Sequence, residues 1–262
     1  MADYTFVDLV PAIAEREHGI GWNEVLFFGN PLLNASGKVT ITHLIMTGLL
    51  VVVIVLLTLI ARRKYRTREE ALIPGGSFSV TNFFEIIFEA ILKMMSDMMG
   101  EKAAKRYFPL IASLAVFIFF GNLMGLVPGL APPTANLNTG LACGLVVFVV
   151  YNVGGFWESG FAYIKHFFGP VLFVAPLIFA IELVGHAFRP ISLSIRLGGN
   201  MTGDHMVIGV FGDLAAAIAG MPFLLPVPFL FLGLLVSTIQ ALVFSLLSTI
   251  YIALAVHHEE GH

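Results

Sequence analysis

Residues 182–205 read ELVGHAFRPISLSIRLGGNMTGDH and set one arginine, Arg196, inside a long apolar stretch. Asn200 lies four residues after it, Ser192 four before, Arg189 seven before, His186 ten before and Glu182 fourteen before. With about 3.6 residues per helical turn, Glu182, Arg189, Ser192, Arg196 and Asn200 share one face. Asp204 continues that face approximately, and His205 falls nearly opposite Arg196. A guanidinium keeps its proton in proteins, so Arg196 is a poor proton carrier and a good fixed charge. Holding it at bilayer depth costs about 2.5–3.5 kcal/mol on insertion scales. There it repels a cation on a water wire and attracts a carboxylate. At about 4 Å and an effective dielectric constant of about 20 that attraction is about 4 kcal/mol, which favours proton loss from the facing acid. Glu182 cannot pair with Arg196 along one straight helix, because fourteen residues rise about 21 Å.

A second polar stripe lies near the end of the chain: Ser237, Gln240, Ser248 and Tyr251, with Phe244 in the gap. Two such stripes on adjacent helices can line a hydrated path. Glu182 then reads as a proton relay or as a helix-end carboxylate. Arg189, just before Pro190, reads as a snorkelling side chain. Asn200 and Gln240 either position Arg196 and water or bond the two helices together. Asp204 and His205 titrate at accessible pH. Tyr251 reads as part of the path or as an interfacial anchor, and Asp213 as a surface residue. Gly198, Gly199 and Gly203 are expected to permit close helix approach. They form no phosphate loop, since no strand precedes them.

The elements that carry these residues are membrane helices. The chain has 262 residues, 58% hydrophobic and 12% charged, against about a quarter charged in ordinary soluble domains. A span of about 20 apolar residues crosses a bilayer. The first runs from about Val39 to Ala61 and ends on Arg62, Arg63, Lys64, Arg66 and Arg68, five cations in seven residues. This places its end in the cytoplasm and the N-terminal segment, residues 1–38, outside. That segment is acidic and does not read as a signal peptide. In residues 80–100, Glu85, Glu89, Lys93 and Asp97 recur every four residues, as in a helix lying at the cytoplasmic interface. Glu89 and Lys93 also form a favourably ordered pair. Spans follow at about 107–128 and 137–157, the former ending in an external loop with Pro128, Gly129, Pro132 and Pro133, and Lys165 and His166 marking the inside again. Two long stretches remain, about 167–218 and about 222–256. Thirty-five helical residues reach about 52 Å, so in a hydrocarbon core about 30 Å thick such helices are strongly tilted, kinked or partly interfacial. His257 to His262 return to the cytoplasm. The reading is an all-α polytopic membrane protein, with about five transmembrane helices and one amphipathic interfacial helix. Residues 39–262 form a single membrane domain, in which 167–256 is a tilted helix pair. The lone cysteine, Cys143, reads as a small packing residue.

Three motifs carry a family resemblance: RPISLSIRLGGNMTGDH at 189–205, NLMGLVPG at 122–129 and IQALVFSLLSTIYIALA at 239–255. The chain resembles subunit a of the F-type ATP synthases, from about Pro74 to Val256. The resemblance implies a non-catalytic stator subunit of a bacterial inner-membrane rotary motor. It also implies a ring of c subunits, each with a carboxylate, a b-subunit peripheral stalk and further subunits as partners. Arg196 matches the family's essential arginine. Glu182, Ser192, Asn200, His205, Gln240 and Tyr251 match positions associated with the ion pathway. Protons would enter one half-channel, ride the ring and leave by another, with Asn200, Asp204 and His205 on the outer side and Ser192 and Glu182 on the cytoplasmic side. The sequence departs from the pattern at Gly198, where many relatives have Phe, and at Gly233, where relatives often have His or Glu. His205 thus lacks a usual partner, an acid that Asp204 could supply.

Two other classes compete. A self-contained secondary transporter often shows internal repeats with broken helices in matching halves, and the polar groups here gather in the last third. An intramembrane enzyme needs a nucleophile–base set or a metal motif such as HExxH, and the sequence has neither. No cofactor, metal or nucleic acid is expected.

Overall fold

The computed structural model describes residues 42–62, 80–127, 130–160, 163, 175–219 and 227–256. The acidic segment 1–38, four of the five cations after the first span, Pro128 and Gly129, Lys165 and His166, and residues 257–262 lie outside them. So do the side chains of His43, His205 and Asp213. The described chain forms five α-helices: α1 (Thr42–Arg62), α2 (Val80–Met124), α3 (Leu137–Ser159), α4 (Ala175–Ala219) and α5 (Val227–Val256), with a 3-10 turn at Pro133–Ala135. All five are long and apolar enough to cross a membrane. Helices satisfy their backbone hydrogen bonds internally, which hydrocarbon demands. The side chains facing outward are correspondingly aliphatic: Leu44, Val52, Leu56, Leu59 and Ile60 on α1 are exposed.

The expected interfacial helix and the span after it follow one another without a loop as α2, kinked at a single residue. Gly100 has φ 76° and ψ 157°, a conformation that a side chain disfavours, so only the backbone freedom of glycine explains its place. Before the kink, Phe84, Ile91, Met95 and Met99 are buried, whereas Glu89, Lys93 and Asp97 lie on the more open side. After it, Arg106 donates to Glu158 at 2.8 Å and ties α2 to the end of α3.

Helix α4 runs antiparallel to α3, and small residues set their spacing. On α3, Gly140 and Gly144 stand four residues apart against α4. A Cβ at Gly144 would lie 2.8 Å from the Pro190 carbonyl oxygen, and one at Gly140 would lie 3.1 Å from that of Ser194. Such small-xxx-small surfaces let membrane helix backbones approach. The turn at Pro133–Ala135 folds back on the same helix, with the Ala135 carbonyl 3.5 Å from a Cβ at Gly198. Of the three glycines expected to admit a neighbour, Gly198 does so. Gly199 and Gly203 face open space, because they lie on the uncovered side of α4.

Helix α5 buries its small and polar face, including Ser237, Gln240, Ser245, Ser248 and Thr249. It packs chiefly on α2 and then on α3, with a narrower contact to α4. The last two helices are therefore adjacent without being each other's main support. The core where α2, α3, α4 and α5 meet includes Ile111, Ile118, Val147, Leu193, Leu197, Phe244 and Ile252, with Cys143 buried among them. At about 1.5 Å per residue, α4, with 45 residues, runs about 67 Å. That is more than twice the roughly 30 Å hydrocarbon core, so a steep tilt or an extension beyond the core follows from its length.

Candidate functional site

Arg196 lies within the apolar stretch Pro176–Phe211 of α4. Its side chain is exposed and makes no hydrogen bond or ion pair among the described residues. Exposed positions nearby include Ile195 and Thr202 as well as Ser192, Gly199, Asn200 and Gly203, and the last four are spaced so that they share its side of the helix. The result is an open cation on a face lowered by two glycines.

The two polar stripes meet. Asn200 Nδ2 donates to Gln240 Oε1 at 2.8 Å, joining α4 to α5. Gln240 is buried, and its Nε2 has no partner among the described residues; neither do Ser237 Oγ and Ser248 Oγ. Further along α4, Asp204 is half-buried with its Oδ2 buried and unpartnered among the described residues. Gly233 on α5 packs against Leu126 and near Ile208, so the space beside it is taken by a neighbour's leucine.

The contacts between α4 and α5 keep step. Arg189 meets Tyr251, Asn200 meets Gln240 and Ile208 approaches Gly233. Eleven residues separate the first two contacts on each helix, and eight on α4 match seven on α5 for the next.

Arg189 does not extend as a free snorkelling side chain. Its guanidinium carbon lies 5.7 Å from the Tyr151 ring centroid and 5.3 Å from that of Tyr251, within cation–π reach. Glu182, half-buried, places a carboxylate oxygen 3.9 Å from Arg189. This is a charge contact, too long for a hydrogen bond. Pro190 follows within the helix, and its carbonyl accepts from Ser194 Oγ at 2.8 Å.

A further network was not legible as a stripe. His186 Nε2 is 2.8 Å from Asn152 Oδ1 and 3.2 Å from the Tyr151 hydroxyl. Asn152 Nδ2 donates to the Phe148 carbonyl at 2.7 Å, which fixes the amide's orientation. Its Oδ1 therefore accepts from His186 Nε2, and also from the Tyr163 hydroxyl at 3.1 Å. Burial pushes the Tyr163 hydroxyl's pKa above its ordinary 10.0; the Arg189 cation opposes that rise and Glu182 adds to it. The adjacent polar pair Tyr151–Asn152 within an otherwise apolar span was the available signal. No group of His, Cys, Asp and Glu able to hold a metal occurs among the described residues.

Comparison with known proteins gives one answer. A family model described as ATP synthase A chain matches residues 44–253. The ATP synthase subunit a of Geotalea uraniireducens (strain Rf4) is 47% identical over 216 residues, covering 82% of this chain and 87% of the relative. That of Sorangium cellulosum (strain So ce56) is 41% identical over 253 residues, covering 97% and 94%. A third, from Citrifermentans bemidjiense, is 44% identical over 244 residues, covering 93% and 94%.

Proposed function

The chain belongs to the ATP synthase A chain family, and from that premise we propose that it is the ion-conducting, non-catalytic stator subunit of a rotary ATP synthase in a bacterial inner membrane. In this reading Arg196 faces a carboxylate carried by each c subunit of a rotating ring. Two half-channels meet that ring from opposite sides. A b-subunit stalk and the other subunits hold the chain against rotation.

The observation that carries the reading is the open side of Arg196. A permanent cation stands at an apolar depth, with no ion pair or hydrogen bond among the described residues, where leaving it unmatched costs several kcal/mol. Gly199 and Gly203 flank it with open space, so a helix of another chain can come close. A carboxylate arriving there loses its proton more readily beside the cation. The same cation repels a proton on a continuous wire and so opposes a direct leak.

The residues beyond Arg196 divide between the half-channels. Asn200, Asp204 and His205 serve the outer one, with Gln240 holding Asn200. Ser192 and Glu182 serve the cytoplasmic one, with Tyr251 at its wall. The cluster Arg62–Arg68 supports this orientation, with the N-terminus outside and the C-terminus in the cytoplasm. The driving force is about 2.3 kcal/mol per charge for each 100 mV. Replacing Arg196 with alanine in the assembled complex is expected to abolish ATP-driven proton pumping into inverted membrane vesicles while the subunit still inserts. Vesicles that pump normally with this substitution would falsify the mechanism. A self-contained transporter would move protons vectorially when the chain is reconstituted alone, and the present reading expects none.

A further inference from the structure

We propose that Arg189 is a second fixed cation of the cytoplasmic half-channel, held against the adjacent rings of Tyr151 and Tyr251, and that Tyr251 acts there through its ring face rather than its hydroxyl. This rests on the stator reading above.

Three helices converge on Arg189. Its guanidinium carbon lies 5.7 Å from the Tyr151 ring centroid on α3 and 5.3 Å from the Tyr251 centroid on α5, and the two rings are 6.3 Å apart. Glu182, on its own helix, contributes the charge contact at 3.9 Å. The Tyr251 hydroxyl makes no hydrogen bond among the described residues, whereas its ring makes the contact with the cation. A ring that holds a cation needs only its face.

The other ring is locked. Tyr151 is 1% exposed, and its ring meets His186 edge-on with centroids 5.0 Å apart. The His186–Asn152–Tyr163 bonds hold that histidine in turn. The position of the Tyr151 ring is therefore set by contacts between α3 and α4.

Arg189 stands seven residues before Arg196, about 10.5 Å by rise. A cation moving past Arg196 toward the cytoplasm meets a second charge that cannot titrate. Glu182 beside it sets a carboxylate oxygen against the guanidinium. In this scheme Arg189 and Tyr251 are positioning residues; neither takes up the proton.

The test is ATP-driven pumping by the assembled complex in inverted vesicles, normalised to the amount of complex in the membrane. Tyr251→Phe keeps the ring and is expected to stay within roughly twofold of the parent, whereas Tyr251→Leu loses roughly tenfold. In an Arg189→Gln background Tyr251→Leu should cost little more, because the ring acts through the cation. Packing alone would instead add the same loss in either background. Tyr251→Phe as impaired as Tyr251→Leu overturns the proposal, since the hydroxyl would then be the working group. So does parent-like pumping by Tyr251→Leu. If Tyr251→Leu fails to assemble, Arg189→Lys against Arg189→Gln decides: better pumping with lysine supports a fixed cation, and equal rates overturn it. Arg196→Ala in the same series separates the failures. Pumping by that variant removes the stator reading itself, whereas its loss leaves only the role of Arg189 in question.

Discussion

Asn200 on α4 and Gln240 on α5 are joined side chain to side chain at 2.8 Å, forty residues apart in the chain and opposite each other in the bundle. This is the point where the two polar stripes become one structure. Hydrogen bonds between membrane helices contribute about 0.6 kcal/mol on average, up to about 1.7. Replacing Asn200 with leucine removes the bond and leaves Gln240 with both ends unmatched. It should lower the stability of the purified complex by about 1–2 kcal/mol. Gln240→Leu also removes an amide nitrogen that has no partner among the described residues, so it should cost less. Thermal melting of the two single variants and the double variant measures the coupling, which should be favourable and below about 2 kcal/mol.

Asp204 presents a buried carboxylate oxygen with no partner among the described residues, next in sequence to His205 and four residues before Ile208, which approaches Gly233. In the outer half-channel proposed above, its role is to give and take protons. Asp204→Asn keeps the shape and removes that capacity. Pumping should fall about a hundredfold, the low end of what a placed proton-transfer group contributes. Normal subunit levels in the membrane with normal pumping would remove Asp204 from the path and return the role to His205 alone.

Gly144 touches the backbone of α4 rather than a movable side chain. A methyl group there would meet the Pro190 carbonyl oxygen at 2.8 Å, so α3 and α4 must separate. Gly144→Ala is expected to cost about 1–3 kcal/mol, and Gly144→Val to lower the amount of assembled complex further. Gly199→Ala faces open space within this chain and should leave its fold intact. Any defect it causes belongs to contact with a neighbouring subunit. Immunoblots of membranes alongside melting of the purified complex distinguish the two positions.

Tyr163 makes alkaline stability a readout of the α3 network. Its hydroxyl has a raised pKa in the fold, mainly through burial. The folded state therefore holds this proton more tightly than the unfolded chain. The stabilisation is fully present below the ordinary value of 10.0 and is lost as pH rises through the higher folded value. Tyr163→Phe should flatten the fall in melting temperature between about pH 9 and pH 11, while removing the bond to Asn152 at neutral pH. An unchanged alkaline slope would show that this hydroxyl does not titrate with unfolding.

Much of the architecture was legible because membrane spans and a 3.6-residue stripe are local properties. The faces that spacing assigned to Asn200 and Gln240 turn out to meet. What escaped depends on which helices become neighbours. Arg189 read as a snorkelling cation because the rings it meets, Tyr151 and Tyr251, arrive from two other helices. His186 stood off the stripe of Arg196, and its partner Asn152 sits in an α3 with little amphipathic signal. The glycines show the same limit. Gly198 is filled by the returning turn at Ala135, whereas Gly199 and Gly203 are left open, a distinction set by tertiary contact rather than residue type. The single-residue kink at Gly100 was readable only as the end of an amphipathic pattern.

The matched steps along α4 and α5 make helix length itself consequential. Between the Arg189–Tyr251 and Asn200–Gln240 contacts the two helices count out the same eleven residues. One residue inserted between them on either helix turns everything beyond it by about 100° and shifts it by about 1.5 Å. A substitution at a contact loses that contact; an insertion in a stretch that touches nothing polar misaligns every contact past it. Sequence drift in this pair can therefore exchange side chains far more freely than it can add or delete them, and a gain of one residue on one helix calls for a compensating change on the other.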